Sequence, residues 1–163
     1  MNKSINKSIA ALFLLSQSIF AFASEQTTCT ANKGTYVTGV VTSAPRFADS
    51  SSSIAGVKLT HTRLNLRATD GRTYDVAMGN VYAVDYVRNA TTMPRSLAAI
   101  KVNDKLGLCG VTYTSGTGIH WVHTNCGAVP TTSKPNGWVK IHYPTGSISA
   151  NLERSQNYCY LWN

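Results

Sequence analysis

A regular alternation of apolar and polar side chains over residues 61–68 limits this chain to folds built from β-strands. The apolar positions are Leu64, Leu66 and Ala68, and the polar positions are His61, Arg63, Asn65 and Arg67. Successive side chains of a strand point to opposite faces, so the leucines predict a core-facing side and the arginines a basic outer side. Asp70-Gly71 follows directly and is typical of a tight hairpin turn, which predicts a returning strand at 72–78.

The remaining strand signals, together with one short helix, follow the order of a known barrel. Strands are predicted at 35–42, 57–69, 72–78, 105–113 and 119–125, and Pro94 suits the first turn of a helix within 91–100. An OB-fold is a five-stranded Greek-key barrel. The sequence therefore predicts an all-β, five-stranded OB-fold-like barrel with one short helix, and a plain β-sandwich is the alternative. The barrel is assigned to residues 24–126, and residues 127–163 to a C-terminal extension that packs on it.

The first residues are typical of a secretory signal peptide. Lys3 and Lys7 precede a mostly apolar stretch at 9–22, and a small-x-small cleavage motif ends at Ala23. The apolar stretch is too short for a typical membrane span, and no later segment is long and apolar enough to form one. We therefore predict cleavage after Ala23 and a secreted or periplasmic bacterial protein.

All four cysteines lie beyond the predicted cleavage site. An even number of cysteines behind a signal peptide predicts two disulfides, and four cysteines allow three pairings. We favour Cys109–Cys126, which would cross a hairpin, and Cys29–Cys159, which would tie the chain ends together. A zinc site is the alternative, but the sequence has no Cys-x-x-Cys pair and an oxidising compartment disfavours it.

The chain is strongly basic. Its formal net charge is +8, and cleavage removes two of the 15 basic residues and none of the 7 acidic ones, so the mature charge is +6. Such a surface favours acidic partners, among them nucleic acids, anionic glycans and lipid headgroups. A basic charge without a specific role is the alternative.

Two histidines flank a tryptophan in the stretch GIHWVHTNCG at 118–127. In a regular strand His120 and His123 point to opposite faces unless a bulge intervenes, so a metal site using both is disfavoured. We therefore predict no metal and no cofactor. His120 is expected near one mouth of the barrel, and Trp121 and His123 outside it. Trp121 either stacks on a ligand or lies under the C-terminal tail.

Three stretches resemble a family of small secreted bacterial proteins, the domain-of-unknown-function family 3465. They are HTRLNLRATDGRT (61–73), GIHWVH (118–123) and NGWVKI (136–141). The matching positions are His61, Arg63, Asn103-Asp104, His120, Trp121, His123 and Gly137-Trp138. The chain departs from the pattern at Thr124-Asn125, where His-Asp is expected, and at Met78, where a histidine is expected. The family has no established activity, so the resemblance implies an OB-fold-like fold and a secreted compartment, and no mechanism.

The basic strand face favours a binding function over catalysis. The candidate ligand-binding residues are His61, Arg63, Arg67, His120, Trp121 and His123. OB-folds bind oligonucleotides and oligosaccharides, so the predicted ligand is an acidic polymer, either an oligonucleotide or an anionic glycan. One alternative is a metal-free histidine and arginine phosphodiesterase, which requires His61 to converge with His120 or His123. Another is a secreted effector, an inhibitor or another protein-interaction module, and no catalytic residue is assigned.

Overall fold

A computed structural model describes residues 24–162, and the predicted signal peptide lies outside this range. The strands are β1 (Thr35–Val41), β2 (Arg46–Ala48), β3 (Ser53–Ile54), β4 (Val57–Lys58), β5 (His61–Ala68), β6 (Thr73–Gly79), β7 (Lys105–Thr112), β8 (Gly118–His120) and β9 (Trp138–His142). Two α-helical segments, α1 (24–31) and α2 (Arg95–Ala98), and two 3-10 turns, Asn80–Tyr82 and Cys159–Trp162, complete the described elements.

Five of these strands close into a barrel. Their order is β1-β5-β6-β8-β7, and β7 pairs again with β1. All of these pairings are antiparallel except that of β6 with β8. The short helix α2 lies between the third and fourth barrel strands, β6 and β7. The predicted OB-fold-like barrel is therefore confirmed.

At Gly39 the first barrel strand pairs with two neighbours at once. Gly39 lies opposite Ala68 on β5 and opposite Leu106 on β7. A Cβ at this position would come within 2.3 Å of the Arg67 carbonyl oxygen. Only glycine allows the two backbones to approach so closely, and this approach closes the barrel.

The alternation predicted for β5 is present. Leu64 and Leu66 are fully buried, whereas Arg67 on the other face is exposed. The leucines join the main core cluster, which includes Val76 and Met78 of β6. The outer face of β5 is therefore free to carry function.

The fifth barrel strand is interrupted by an insertion. β8 ends at His120 instead of continuing to residue 125 as predicted, because Trp121 adopts a left-handed backbone with φ 54°. The chain returns at β9, where Trp138 pairs with Cys109 on the same edge of β7 that β8 uses. We call residues 121–137 the insertion loop. Since β9 pairs with β7, the main sheet continues beyond residue 126.

The sequence correctly predicts two disulfides but not their pairing. The bonds are Cys29–Cys109 and Cys126–Cys159, not Cys109–Cys126 and Cys29–Cys159. The predicted pairing assumed a hairpin that runs to Cys126. The insertion loop carries Cys126 away from β7, so Trp138 takes the place opposite Cys109.

The helix α1 places a carboxylate in a buried network, and the sequence analysis did not predict this helix. The Glu25 carboxylate accepts a hydrogen bond from the Tyr36 hydroxyl at 2.9 Å and lies 3.1 Å from Lys140 Nζ and 2.8 Å from His142 Nε2. Burial alone would raise the pKa of Glu25, but the hydrogen bonds from His142, Lys140 and Tyr36 outweigh it and lower the pKa to about 2. The network joins α1 to β1 and β9.

Candidate functional site

The candidate site lies on the outer face of β5, β6 and β8. His61 on β5 pairs with Gly79 on β6, and the parallel register of β6 with β8 places Ala77 beside His120. Ala77 and Gly79 are small, so they form a low floor between the two histidines. In an OB-fold, the second and third barrel strands carry the usual ligand face, and here these strands are β5 and β6.

Four rings stand beside this floor in one row, which we call the aromatic row. Its members in order are Trp121, His123, Tyr82 and Trp162. The His123 and Tyr82 rings are parallel, with centroids 3.6 Å apart. Tyr82 also stacks on Trp162 at 5.2 Å, and Trp121 lies 4.8 Å from His123. The row joins the insertion loop, the turn after β6 and the C-terminal turn into one wall.

The aromatic row borders two cavities. The first, which we call the histidine cavity, has a volume of 270 Å³ and is lined by His61, His120, the floor of Ala77 and Gly79, and all four rings. The second, the loop cavity, has a volume of 390 Å³ and is bounded by Tyr82, Trp121, Trp162 and the insertion loop. The three shared rings therefore form a wall common to both cavities.

A cavity elsewhere in the molecule contains fewer histidines. It has a volume of 360 Å³, and its single histidine, His142, is engaged with Glu25. The histidine cavity, by contrast, gathers three of the four histidines of the chain. We therefore take it as the candidate functional site.

The structure brings His120 and His123 to the same cavity, so the prediction that they face opposite sides is wrong. The left-handed backbone of Trp121 breaks the alternation between them. His123 is almost fully buried, and its Nδ1 is hydrogen-bonded to the Thr124 carbonyl oxygen at 2.7 Å. His61 and His120 are only partly buried and line the cavity with their rings.

Burial holds all three histidines of the cavity toward the neutral form. It lowers the pKa of His123 to about 4, although the bond to Thr124 acts in the opposite direction. Burial, Arg63 and His120 lower the pKa of His61, and burial lowers that of His120. Neutral imidazoles both donate and accept hydrogen bonds, so the cavity is suited to polar ligand groups.

Next to the cavity, the outer face carries an excess of arginine. Arg46 on β2 pairs directly with Arg63 on β5, so two like charges lie opposite each other. Asp75 on β6 forms an ion pair with Arg63 and lies 4.0 Å from Arg46. Arg67, four positions further along β5 and on the same face, is exposed. We call Arg46, Arg63 and Arg67 the arginine strip.

The predicted site residues thus fall into two adjoining groups. His61, His120, Trp121 and His123 line the histidine cavity, whereas Arg63 and Arg67 lie on the same strand face outside its lining. Sequence reasoning missed Tyr82, Arg46 and Trp162 as site residues. The aromatic run YCYLW (158–162) signals Trp162. Nothing in the sequence around Tyr82 signals its place in the row.

The insertion loop fixes Trp121. Its indole Nε1 donates a hydrogen bond to the Pro135 carbonyl oxygen at 3.0 Å, and its ring remains half-buried. The indole is therefore anchored by the loop while its ring lines both cavities.

A buried acid lies behind the aromatic row. Glu153 is fully buried, and neither of its carboxyl oxygens has a hydrogen-bond partner within residues 24–162. Burial raises its pKa well above the usual value, so the neutral acid is favoured. The pKa of Tyr82 is also raised. Burial is the larger cause, and the proximity of Glu153 is the smaller one.

Comparison with protein-family models, with curated proteins and with solved structures finds no match to this chain. The fold and the site define an OB-fold-like barrel with an aromatic and histidine-lined cleft on the outer face of β5, β6 and β8. The resemblance to family 3465 stays a prediction.

Two further findings concern the described residues as a whole. Among residues 24–162, no three His, Cys, Asp or Glu side chains are grouped so that they could hold a metal ion. None of the helices in that range is long and apolar enough to cross a membrane. The two disulfides are compatible with an extracellular or periplasmic protein.

Proposed function

We propose that this protein is a secreted or periplasmic binding protein for an acidic polymer, either an oligonucleotide or an anionic glycan. The polymer would lie along the arginine strip and place one unit in the histidine cavity. The observation that carries the proposal is that this cavity opens on the same barrel face as the arginine strip, in which Arg46 and Arg63 share the single carboxylate of Asp75.

The arginine strip supports an anionic ligand. Like charges directly opposite each other on neighbouring strands are destabilising, and Arg46 and Arg63 are such a pair. Asp75 offsets only one of the two charges, and Arg67 adds a third. Phosphate or carboxylate groups would neutralise this excess, and guanidinium groups bind both of them bidentately.

The aromatic row supports a ligand with flat or ring-shaped units. Nucleobases stack on aromatic side chains, and each stacked base contributes about 1–3 kcal/mol. Trp162 is 41% exposed, so a ligand can reach its ring from solvent. The ring is held in place because Cys159, three residues earlier, is bonded to Cys126 of the insertion loop.

The predicted signal peptide supports export. The chain has two disulfides, of which Cys29–Cys109 is fully buried, and such bonds persist in oxidising compartments outside the cytosol. Export of the chain and the molecular mass of the exported form, measured by mass spectrometry, would test cleavage after Ala23.

The binding test is a fluorescence-anisotropy titration of the mature protein with single-stranded DNA, single-stranded RNA and an anionic glycan. Three phosphate contacts predict a slope of about −2 in log affinity against log salt for a single strand. The variant Arg46→Ala/Arg67→Ala should bind more weakly and show a shallower slope. Its stability should change by about 0.5 kcal/mol or less, because both side chains are exposed.

The matched control is Arg95→Ala/Lys101→Ala, which removes the same charge from exposed positions that line neither cavity. It should retain the salt slope of the unaltered protein. Trp162→Ala should weaken binding and leave the slope unchanged. If the unaltered protein binds none of the three polymers even at low salt, the proposal is wrong and a protein partner, as for an effector or inhibitor, becomes the better interpretation.

A further inference from the structure

Two of the four histidines in this chain are engaged in the framework, and two are available in the cavity. His123 is hydrogen-bonded to a neighbouring backbone carbonyl, and His142 to a buried carboxylate. Within residues 24–162, neither ring of His61 or His120 has a hydrogen-bond partner. Both rings are only partly buried and line the histidine cavity. The cavity therefore presents two imidazoles whose nitrogens are open to a ligand.

The two imidazoles approach the cavity from opposite sides. His61 is on β5 and His120 on β8, and β6 runs between these strands. Ala77 and Gly79 of β6 face the cavity at this point and leave space above the sheet. The rings are close enough for a charge on His120 to disfavour a charge on His61. A group bound above the small floor would have an imidazole on each side.

We propose that His61 and His120 form an acid–base pair that cleaves single-stranded RNA by transesterification. This inference rests on the proposed function, since it requires an oligonucleotide to lie along the arginine strip. It goes beyond that function because it assigns a reaction to the cavity. The phosphodiesterase alternative required His61 to converge with His120 or His123. In the structure, His61 and His120 line the same cavity.

The reaction needs no group that the chain and the RNA do not supply. One neutral imidazole takes the proton of a ribose 2′-hydroxyl, and the 2′-oxygen forms a bond to the adjacent phosphorus. The bond between phosphorus and the 5′-oxygen breaks, and the other imidazole, in its protonated form, gives its proton to that oxygen. The products are a 2′,3′-cyclic phosphate and a 5′-hydroxyl, and the two histidines recover their starting states by exchanging protons with water.

The neighbours of the two histidines assign their roles. Arg63 lies two positions from His61 on the same strand face, and its charge disfavours protonation of His61. His61 is therefore the base and His120 the acid. The guanidinium of Arg63 is fixed by Asp75 beside the cavity, where it can stabilise charge on the pentacoordinate phosphorus.

RNA is the favoured substrate because its nucleophile, the 2′-hydroxyl, is part of the RNA strand itself. An adjacent hydroxyl reacts with a large effective concentration, so a pair of imidazoles suffices to move the protons. DNA lacks the 2′-hydroxyl and should bind without being cleaved.

The test uses the mature, disulfide-bonded protein and a fluorophore–quencher RNA oligonucleotide in buffer containing EDTA. We expect cleavage of the RNA, a cyclic phosphate on the product, and no cleavage of the same sequence made with 2′-deoxyribose. His61→Gln and His120→Gln should each reduce the rate about 10²–10⁴-fold without altering the fold. The double variant should be about as slow as either single variant, because the two residues act in one step.

A second substrate separates the acid from the base. Replacing the 5′-oxygen of one linkage by sulfur provides a leaving group that departs without a proton. This substrate should restore cleavage by His120→Gln and leave His61→Gln slow. Restoration in His61→Gln instead would reverse the two roles.

The pH dependence of cleavage provides an independent readout. The charged and titratable groups around the pair are Arg46, Arg63, Asp75, Tyr82, Tyr113 and His123. The pKa values of both imidazoles lie below the usual 6.5. The plot of cleavage rate against pH should therefore be bell-shaped, with its optimum below pH 6.5. An optimum in the alkaline range would contradict the assignment of this pair.

Three outcomes distinguish this inference from the proposed function. RNA and DNA that bind but are not cleaved would overturn the inference and leave the proposed function standing. Cleavage that persists in the double histidine variant, purified in the same way, would reveal a contaminating nuclease and overturn the inference. If neither oligonucleotide nor glycan binds, both proposals fail.

Discussion

A single backbone conformation determines what the histidines can do. A left-handed backbone costs a residue such as Trp121 about 1–2 kcal/mol, and its φ is 54°. The hydrogen bond to Pro135 and the contact with His123 offset this cost. The conformation ends the fifth strand and turns His123 to the side of His120. Without it, the alternation of a regular strand would divide the two histidines between opposite faces.

The buried ring of His123 should make the protein sensitive to mild acid. Its pKa is about 4 in the folded chain and about 6.5 when unfolded, so the unfolded chain binds more protons between these values. The contribution of His123 is therefore present above pH 6.5 and is lost as the pH falls toward 4, by about 3 kcal/mol. Urea unfolding of the unaltered protein and of His123→Gln at pH 7, 5.5 and 4.5 measures this loss as a change in the free energy of unfolding.

The His123→Gln variant should lose less stability over that range than the unaltered protein. His61 and His120 titrate in both proteins, so the difference between the two curves isolates His123. Parallel curves would show that the ring is not held neutral.

At the scale of the elements, local sequence patterns correctly predicted the features that neighbouring residues determine. The alternation of Leu64 and Leu66, the Asp70-Gly71 turn and the short helix after Pro94 are all present, because each follows from neighbouring side chains or from a fixed dihedral angle. The arginine face of β5 was predicted for the same reason.

The elements that the sequence did not reveal depend on distant contacts. The helix α1 has the sequence SEQTTCTA, in which three threonines have low helix propensity. It is held instead by the bond from Cys29 to Cys109 and by the Glu25 network, and two of its threonine hydroxyls donate to carbonyls one turn earlier. The insertion loop likewise depends on Cys126–Cys159. A strand pattern cannot contain such information, because the partners lie far away along the chain.

The two disulfides should protect different elements. Chain entropy predicts that each contributes about 4 kcal/mol, with slightly more for the longer loop closed by Cys29–Cys109. In Cys126→Ser/Cys159→Ser, faster amide exchange should appear in 121–137 and in the C-terminal turn, because this bond joins those segments. Hydrogen exchange followed by mass spectrometry measures the effect.

The matched variant is Cys29→Ser/Cys109→Ser. Its faster exchange should be confined to α1 and the start of β1, while the insertion loop stays protected. Equal loss of protection over the whole barrel in both variants would show that the bonds do not act locally.

At the scale of the whole molecule, Glu25 links segments that are far apart in sequence. It contacts His142, 117 residues away, and so connects α1 to the last strand of the main sheet. Its folded pKa of about 2 lies below the unfolded value of 4.5. The folded state therefore holds fewer protons between these values, and the stabilisation is present above pH 4.5 and lost as the pH falls toward 2.

Glu25→Gln should lower the melting temperature at pH 7 and have a much smaller effect near pH 2. The reason is that the unaltered protein has then lost the same negative charge. Thermal unfolding followed by circular dichroism across this range measures the gap in melting temperature between the two proteins. A gap that stays constant from pH 7 to 2 would show that the carboxylate charge contributes nothing.

The order of the disulfides along the chain also determines how the molecule would respond to a mechanical pull on its two ends. The bonded loops Cys29–Cys109 and Cys126–Cys159 follow one another without overlap, so tension passes through the sulfur atoms and bypasses the residues inside each loop. Between the loops, the extensible stretch has 126 − 109 = 17 residue steps, or about 60 Å when drawn straight. That stretch contains His120, Trp121 and His123. A stretched molecule would therefore lose its cleft while most of the core remained shielded from the force.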